Sequence, residues 1–165
     1  MKYLIVCGGK TDKEFGLNEI KTDGIDAIIA ADSGMDFLYE NGVTPDIIVG
    51  DFDSATTKAL EFFERKGQTE IHRLNPIKDD TDTEYAIRLA IREGARSIVM
   101  LGATGSRIDH VLGNISLLGI GLESGTDISI IDTNNRIRMS DKPVTIEKSA
   151  QYGRFVSLIA VTCLL

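Results

Sequence analysis

The chain has 165 residues, of which 42% are hydrophobic and 26% charged, and its net charge is -7 at neutral pH. That length fits one domain, or one domain with a small appendage, and the composition excludes a disordered chain. The acidic balance excludes a protein that grips nucleic acid by neutralising phosphates, so a polyphosphate ligand would need a cation to mediate its binding.

The chain opens MKYLIVCGG, an apolar run shorter than the roughly 7 to 15 residues of a signal-peptide core, and it reads as a first strand. Similar runs rich in β-branched residues recur at 27–30, 46–49 and 97–101, with a less regular one at 70–74. Helical patterns fall between them. One covers 57–66 and stops at Gly67; another covers 84–93, with Ile87, Ala90 and Ile91 on one face and Gly94 at the C-terminal cap. Asp32 stands before a third helix that begins near Met35. Strands alternating with helices predict an α/β domain over 1–123, a Rossmann-like, mostly parallel sheet with helices on both faces.

From Ser124 the pattern is β only, with strands expected at 127–132, 136–140, 144–148 and 154–162. These predict a small all-β domain over 124–165, a partial sandwich that is incomplete or is finished by another chain. The apolar run 155–165 is too short for a membrane span, which needs roughly 18 to 20 residues. Two cysteines, Cys7 and Cys163, form no CxxC pattern, so a reducing cytoplasm is the expected compartment.

In open α/β sheets ligands bind beyond the carboxyl ends of the strands, and here those ends are acidic. Asp32 follows the second run; Asp51 and Asp53, in GDFDS, follow the third; Asp79, Asp80 and Asp82 follow the fourth. In an extended segment Asp51 and Asp53 project from one side, roughly 6.5 to 7 Å apart at Cα, with Phe52 turned to the core. Such a pair either converges on a hard cation or solvates a turn in which Ser54 caps the next helix. Thr81 to Glu84 fits a capping box, but that box needs fewer acids than the three Asp supplied. Acids gathered at one sheet edge repel one another unless a cation such as Mg2+ offsets the charge.

After residues 97–101 comes Gly102-Ala103-Thr104-Gly105-Ser106-Arg107-Ile108-Asp109-His110. Its glycines allow close backbone approach to an anion, the helix start attracts negative charge, and Arg107 can clamp a phosphate bidentately. Asp109 orients Arg107 or meets a ribose or base; His110 touches the ligand or packs at the helix start. Asn114, one turn on, shares its face or is an ordinary helix position. Gly9-Lys10-Thr11 ends like a Walker A loop, but the glycine that motif requires is Leu4. With two histidines, His72 and His110, an imidazole-rich metal site is not expected.

In order and spacing, Asp32-Ser33-Gly34, GDFDS, Asp79-Asp80-Thr81-Asp82 and the loop from Gly102 to His110 resemble the thiamin pyrophosphokinase family. The resemblance covers residues 1 to about 120 well. It implies a Rossmann-like domain followed by a β-sandwich, a cytoplasmic homodimer, and Mg2+-dependent transfer of a pyrophosphoryl group from ATP to thiamine. It also implies that Asp51, Asp53 and Asp82 are metal-binding and catalytic carboxylates, with Arg107 catalytic as well. Asp32, Thr104, Arg107, Asp109, His110 and Asn114 are then expected at the nucleotide. The Ser- and Gly-containing segment that helps hold thiamine in the family has no counterpart after Arg154. The residues by themselves also fit a metal-dependent phosphoesterase or a nucleotide-binding module without catalysis.

Overall fold

The computed structural model describes residues 1–52, 57–75 and 81–161. Their strands form one seven-stranded sheet, ordered β4-β3-β2-β1-β5-β6-β7. In chain order the elements are β1 (Lys2–Val6), α1 (Lys13–Ile20), β2 (Ala27–Ala31), α2 (Gly34–Glu40), β3 (Ile47–Gly50), α3 (Thr57–Lys66) and β4 (Glu70–Arg73). There follow α4 (Asp82–Arg92), β5 (Ser97–Leu101), α5 (Ile108–Ser124), β6 (Asp127–Ile131), β7 (Arg136–Arg138) and a 3-10 turn at Lys148–Ala150. Strands β1 to β6 pair in parallel and β7 returns antiparallel to β6.

Alternation along β1 splits the core between the two faces of the sheet. Tyr3, Ile5 and Cys7 join the layer under α4 and α5, with Ile87, Ala90 and Leu118. Leu4 and Val6 join the layer under α2 and α3, with Met35, Leu38 and Phe63. Strands buried on both faces need continuous apolar runs, which is why they stand out in the sequence. The helix stops are equally local: Gly67 and Gly94 take positive φ, 63° and 87°, directly beyond α3 and α4.

The chain leaves the central strand β1 toward β2 on one side and, after β4, returns to its other side at β5. The strand order thus reverses between β1 and β5, and the crevice at their carboxyl ends is where such sheets take ligands. Gly34 makes the approach of α2 to this edge possible, because a Cβ there would collide with the Val6 carbonyl oxygen.

Two expectations are corrected. The change to β-only structure expected at 123/124 does not separate two sheets, since β6 lies beside β5 and extends the same parallel sheet. Its last four residues, Ile128 to Ile131, are all buried, the mark of an interior strand rather than a sandwich edge. The strands expected at 144–148 and 154–162 are also not formed among the described residues. Val144, Ile146, Phe155 and Leu158 keep an alternating or apolar pattern but are exposed, and a strand requires a neighbour to accept its ladder. No helix among the described residues is long and apolar enough to cross a membrane.

Candidate metal and nucleotide site

Three acidic side chains converge at the carboxyl edge of the sheet. Asp32, Asp51 and Asp82 each present a carboxylate oxygen, and these oxygens lie within 4.8 Å of one another. All three residues are partly buried. Each is aimed by a different local device.

Asp32 follows β2 with φ 49°, in the left-handed region that Asp tolerates better than most residues. Its N–H donates to the Val49 carbonyl at 2.8 Å, which prolongs the β2–β3 ladder and fixes Asp32 beside the end of β3. Ser33, the next residue, occupies the N-cap position of α2.

Asp51 follows β3 directly, and the next residue, Phe52, takes φ 58°. That is an outlying conformation for an aromatic residue, and it persists where packing over-determines it. The Phe52 ring lies so near Gly50 that a Cβ there would meet Cε1 at 2.9 Å, and the Arg73 guanidinium stands 5.4 Å from the ring centroid. This positive φ interrupts the expected extended segment at Phe52, whose ring packs against the core as expected. Asp53, Asp79 and Asp80 lie outside the described residues, as does Ser54.

Asp82 occupies the first turn of α4, whose N-cap Thr81 accepts from the Glu84 N–H at 3.1 Å. The capping expectation for Thr81 is met, and the helix start that it fixes carries Asp82. Thr83 ties this turn down by donating its hydroxyl to the Cys7 sulfur at the end of β1, 3.8 Å away. Burial pushes the Cys7 thiol up to about 12, against a smaller lowering by that hydrogen bond, so it stays neutral beneath the site. The histidines are elsewhere: His72 bonds Glu70 and Tyr85 on the edge strand β4, and His110 is exposed on α5. The donor set is all oxygen, which suits a hard divalent cation.

The loop after β5 forms the second part of the site. Gly102 takes φ 64° and packs so closely on the β1 loop that the Gly9 N–H donates to its carbonyl at 2.9 Å. Arg107 is the N-cap residue of α5 and makes a two-pronged ion pair with Asp109, Nη2 to Oδ2 at 2.6 Å and Nε to Oδ1 at 3.3 Å. The Arg107 hydrogen bond holds the Asp109 carboxyl below its ordinary range, against slight desolvation, and raises the guanidinium in turn. Both side chains remain largely exposed, so Arg107 is accessible to a ligand anion.

Thr104 and Asn114 are each tied to the protein by a side-chain hydrogen bond. The Thr104 hydroxyl donates to Asp132 Oδ2 at 2.9 Å, and the Asn114 amide donates to the Ala103 carbonyl at 2.8 Å. Asp132 escaped the sequence reading, although a signal existed: it too is the acid following a strand, but that strand had been assigned to a separate β domain.

Residues 21–130 match the model of the thiamin pyrophosphokinase catalytic domain. The thiamine pyrophosphokinase of Bacillus subtilis (strain 168) is 36% identical over 132 residues, covering 79% of this chain and 61% of that protein. Thiamine pyrophosphokinase 1 of Oryza sativa subsp. japonica is 35% identical over 80 residues, 45% of this chain and 30% of that protein. The crystal structure of the Bacillus subtilis protein superposes with a TM-score of 0.72 at 30% identity, covering 84% of this chain and 63% of that one. That of a probable thiamine pyrophosphokinase from Staphylococcus saprophyticus gives 0.65 at 33% identity, covering 84% and 68%. This chain thus spans less than two thirds of the Bacillus subtilis relative. The match to the family model takes in β2 through β6 and so includes all three converging carboxylates and the loop of Arg107; the chain belongs to the thiamin pyrophosphokinase family.

Proposed function

We propose that the protein is a thiamine diphosphokinase, transferring the pyrophosphoryl group of ATP to the hydroxyl of thiamine to give thiamine diphosphate and AMP. The observation that carries this reading is the convergence of Asp32, Asp51 and Asp82 within 4.8 Å at the sheet edge, beside a Gly-rich loop that ends in an accessible arginine.

The three carboxylates suit Mg2+, which takes oxygen ligands and characteristically shares them between one or two protein carboxylates, water and substrate phosphates. Held there, the ion would neutralise phosphate charge during transfer. Asp53 joins this set in the proposal through its family position.

The chain's own residues supply the rest. Arg107 is preorganised by Asp109 and exchanges that partner for phosphate oxygens, which accept its fork in the same bidentate geometry. Backbone N–H groups at the start of α5 face the same anion. With ATP so held, the thiamine hydroxyl oxygen attacks the β-phosphorus in line, the bond from that phosphorus to the bridging oxygen breaks, and AMP leaves with that oxygen. The hydroxyl proton passes to a carboxylate of the acidic group. Positioning and charge stabilisation provide most of the acceleration in such a transfer. We assign the exposed His110, in the first turn of α5, to the nucleoside. We place the enzyme in the cytoplasm as a homodimer.

Incubating the protein with ATP, Mg2+ and thiamine, with products identified by mass spectrometry, tests the reading. AMP and thiamine diphosphate in equal amounts are expected. Orthophosphate released from simple esters would instead indicate a phosphoesterase, and tight ATP binding without product a binding module.

A further inference from the structure

The first three residues of the loop after β5 are each held by a different element. The Gly102 carbonyl accepts from the Gly9 N–H of the β1 loop, the Ala103 carbonyl accepts from the Asn114 amide of α5, and the Thr104 hydroxyl donates to Asp132 beyond β6. Of these three restraints, the last involves a charged group. Asp132 Oδ1 accepts from the N–H groups of Asn134 and Asn135, both at 2.7 Å, and from the Asn135 side chain at 3.0 Å. Its Oδ2 accepts the Thr104 hydroxyl at 2.9 Å and is approached by the Asn135 amide at 3.1 Å.

Capping the β6–β7 turn requires only the first oxygen, since both turn N–H groups use it. The second oxygen reaches a residue 28 positions earlier in the chain. The main chain of Asp132 is itself fixed, its N–H donating to the Asn135 carbonyl at 2.9 Å and its carbonyl accepting from the Tyr152 hydroxyl at 2.6 Å. Burial raises the Asp132 carboxyl, but the hydrogen bonds from Asn134, Asn135 and Thr104 outweigh it and hold the group below the usual carboxylate range. It is therefore ionised throughout the neutral range, and its bond to Thr104 is charge-assisted.

We propose that Asp132 is a positioning residue for the nucleotide loop: one oxygen clamps the β6–β7 turn, the other clamps Thr104, and the platform so fixed sets where Gly105 to Arg107 meet the phosphates of ATP. The proposal rests on the nucleotide reading of this loop given above. Asp132 touches no reacting atom and acts through Thr104.

A double-mutant cycle on the full chain separates this role from simple turn stabilisation. Mg2+-ATP affinity is measured by calorimetry, and amide hydrogen exchange is followed over residues 103–107, for Asp132→Ala, Thr104→Val, their combination and Asp132→Asn. Asp132→Ala and Thr104→Val are each expected to weaken Mg2+-ATP about tenfold and to speed exchange in the loop by a similar factor, because each removes the same charge-assisted bond. The double variant is then no worse than Thr104→Val by more than about twofold. Asp132→Asn keeps an acceptor for the turn and can donate to the Thr104 hydroxyl oxygen, so it recovers most of the affinity. Should the alanine variant not fold, Thr104→Val carries the test, because it removes the same bond and leaves the bonds of Asp132 to the β6–β7 turn in place. Additive losses, or loop exchange unchanged in every variant, would overturn the proposal. A wild-type chain that binds no Mg2+-ATP would contradict the nucleotide reading itself, and the exchange rates alone would then decide whether Asp132 sets the loop.

Discussion

A carboxylate oxygen of Asp51, directly after β3, lies within 4.8 Å of one from Asp82, in the first turn of α4, and Asp32 completes the group at the same spacing. Like charges this close favour a cation, so wild-type protein should gain thermal stability on adding Mg2+. Asp32→Asn is the cleanest variant, because Asn accepts φ 49° as readily as Asp and only the charge is lost. It should abolish the Mg2+-dependent rise in melting temperature, leave the metal-free protein within about 1 kcal/mol of wild type, and reduce turnover at least a hundredfold. Melting curves with and without Mg2+ check this. A large loss of stability in the metal-free variant would show the acid to be structural.

Gly34→Ala should destabilise the protein by about 2 to 4 kcal/mol, although Ala is favoured over Gly within helices by about 1 kcal/mol. The added methyl would collide with the Val6 carbonyl oxygen and force α2, and Asp32 just before it, away from β1. Urea denaturation gives the sign directly. Mg2+ binding should weaken with it.

Cys7 should resist alkylation in the folded protein, because burial lifts its thiol from 9.0 to about 12 and keeps it from forming the reactive thiolate. Peptide mapping after iodoacetamide treatment at pH 8, with and without urea, reads this out. The linkage has a definite sign. A group whose pKa is higher in the folded state leaves stability unaffected below the unfolded value of 9.0 and removes it as pH rises from there toward 12. Cys7→Ala should flatten that part of the stability curve.

The Arg107–Asp109 pair should make ATP binding insensitive to pH through the neutral range. Asp109 has a depressed folded-state value, so its ion pair is complete above the ordinary carboxylate range and fails only as pH falls through that lowered value. Arg107→Lys keeps the charge but loses the fork, and should raise the KM for ATP about tenfold or more. Titrating ATP affinity between pH 5.5 and 8 checks the first statement, and steady-state kinetics the second.

Much of this was legible in the chain itself. Strands β1, β2, β3 and β5 are apolar runs buried on both faces, and α3 and α4 are amphipathic segments stopped by Gly67 and Gly94, so local pattern and fold agree. Asp82 was legible because the capping box needs fewer acids than the sequence supplies there. What was not legible depends on backbone geometry and on partners remote in sequence. Phe52, directly after Asp51, takes a left-handed conformation, which nothing in a two-residue alternation announces. The Asn114 amide holds the Ala103 carbonyl, a partner 11 positions earlier in the chain. Asp132 follows β6, whose pairing with β5 is set by the tertiary fold and not by the local β pattern.

The central claim is that the acidic group and the Arg107 loop together move a pyrophosphoryl group from ATP to thiamine. Phosphorus NMR of the protein with ATP, Mg2+ and thiamine, run beside Asp51→Asn, tests it most directly. With wild type the ATP resonances should be replaced by those of AMP and thiamine diphosphate in equal amounts, and with Asp51→Asn they should persist. Appearance of ADP or orthophosphate in place of thiamine diphosphate, or equal rates from the two proteins, would contradict it.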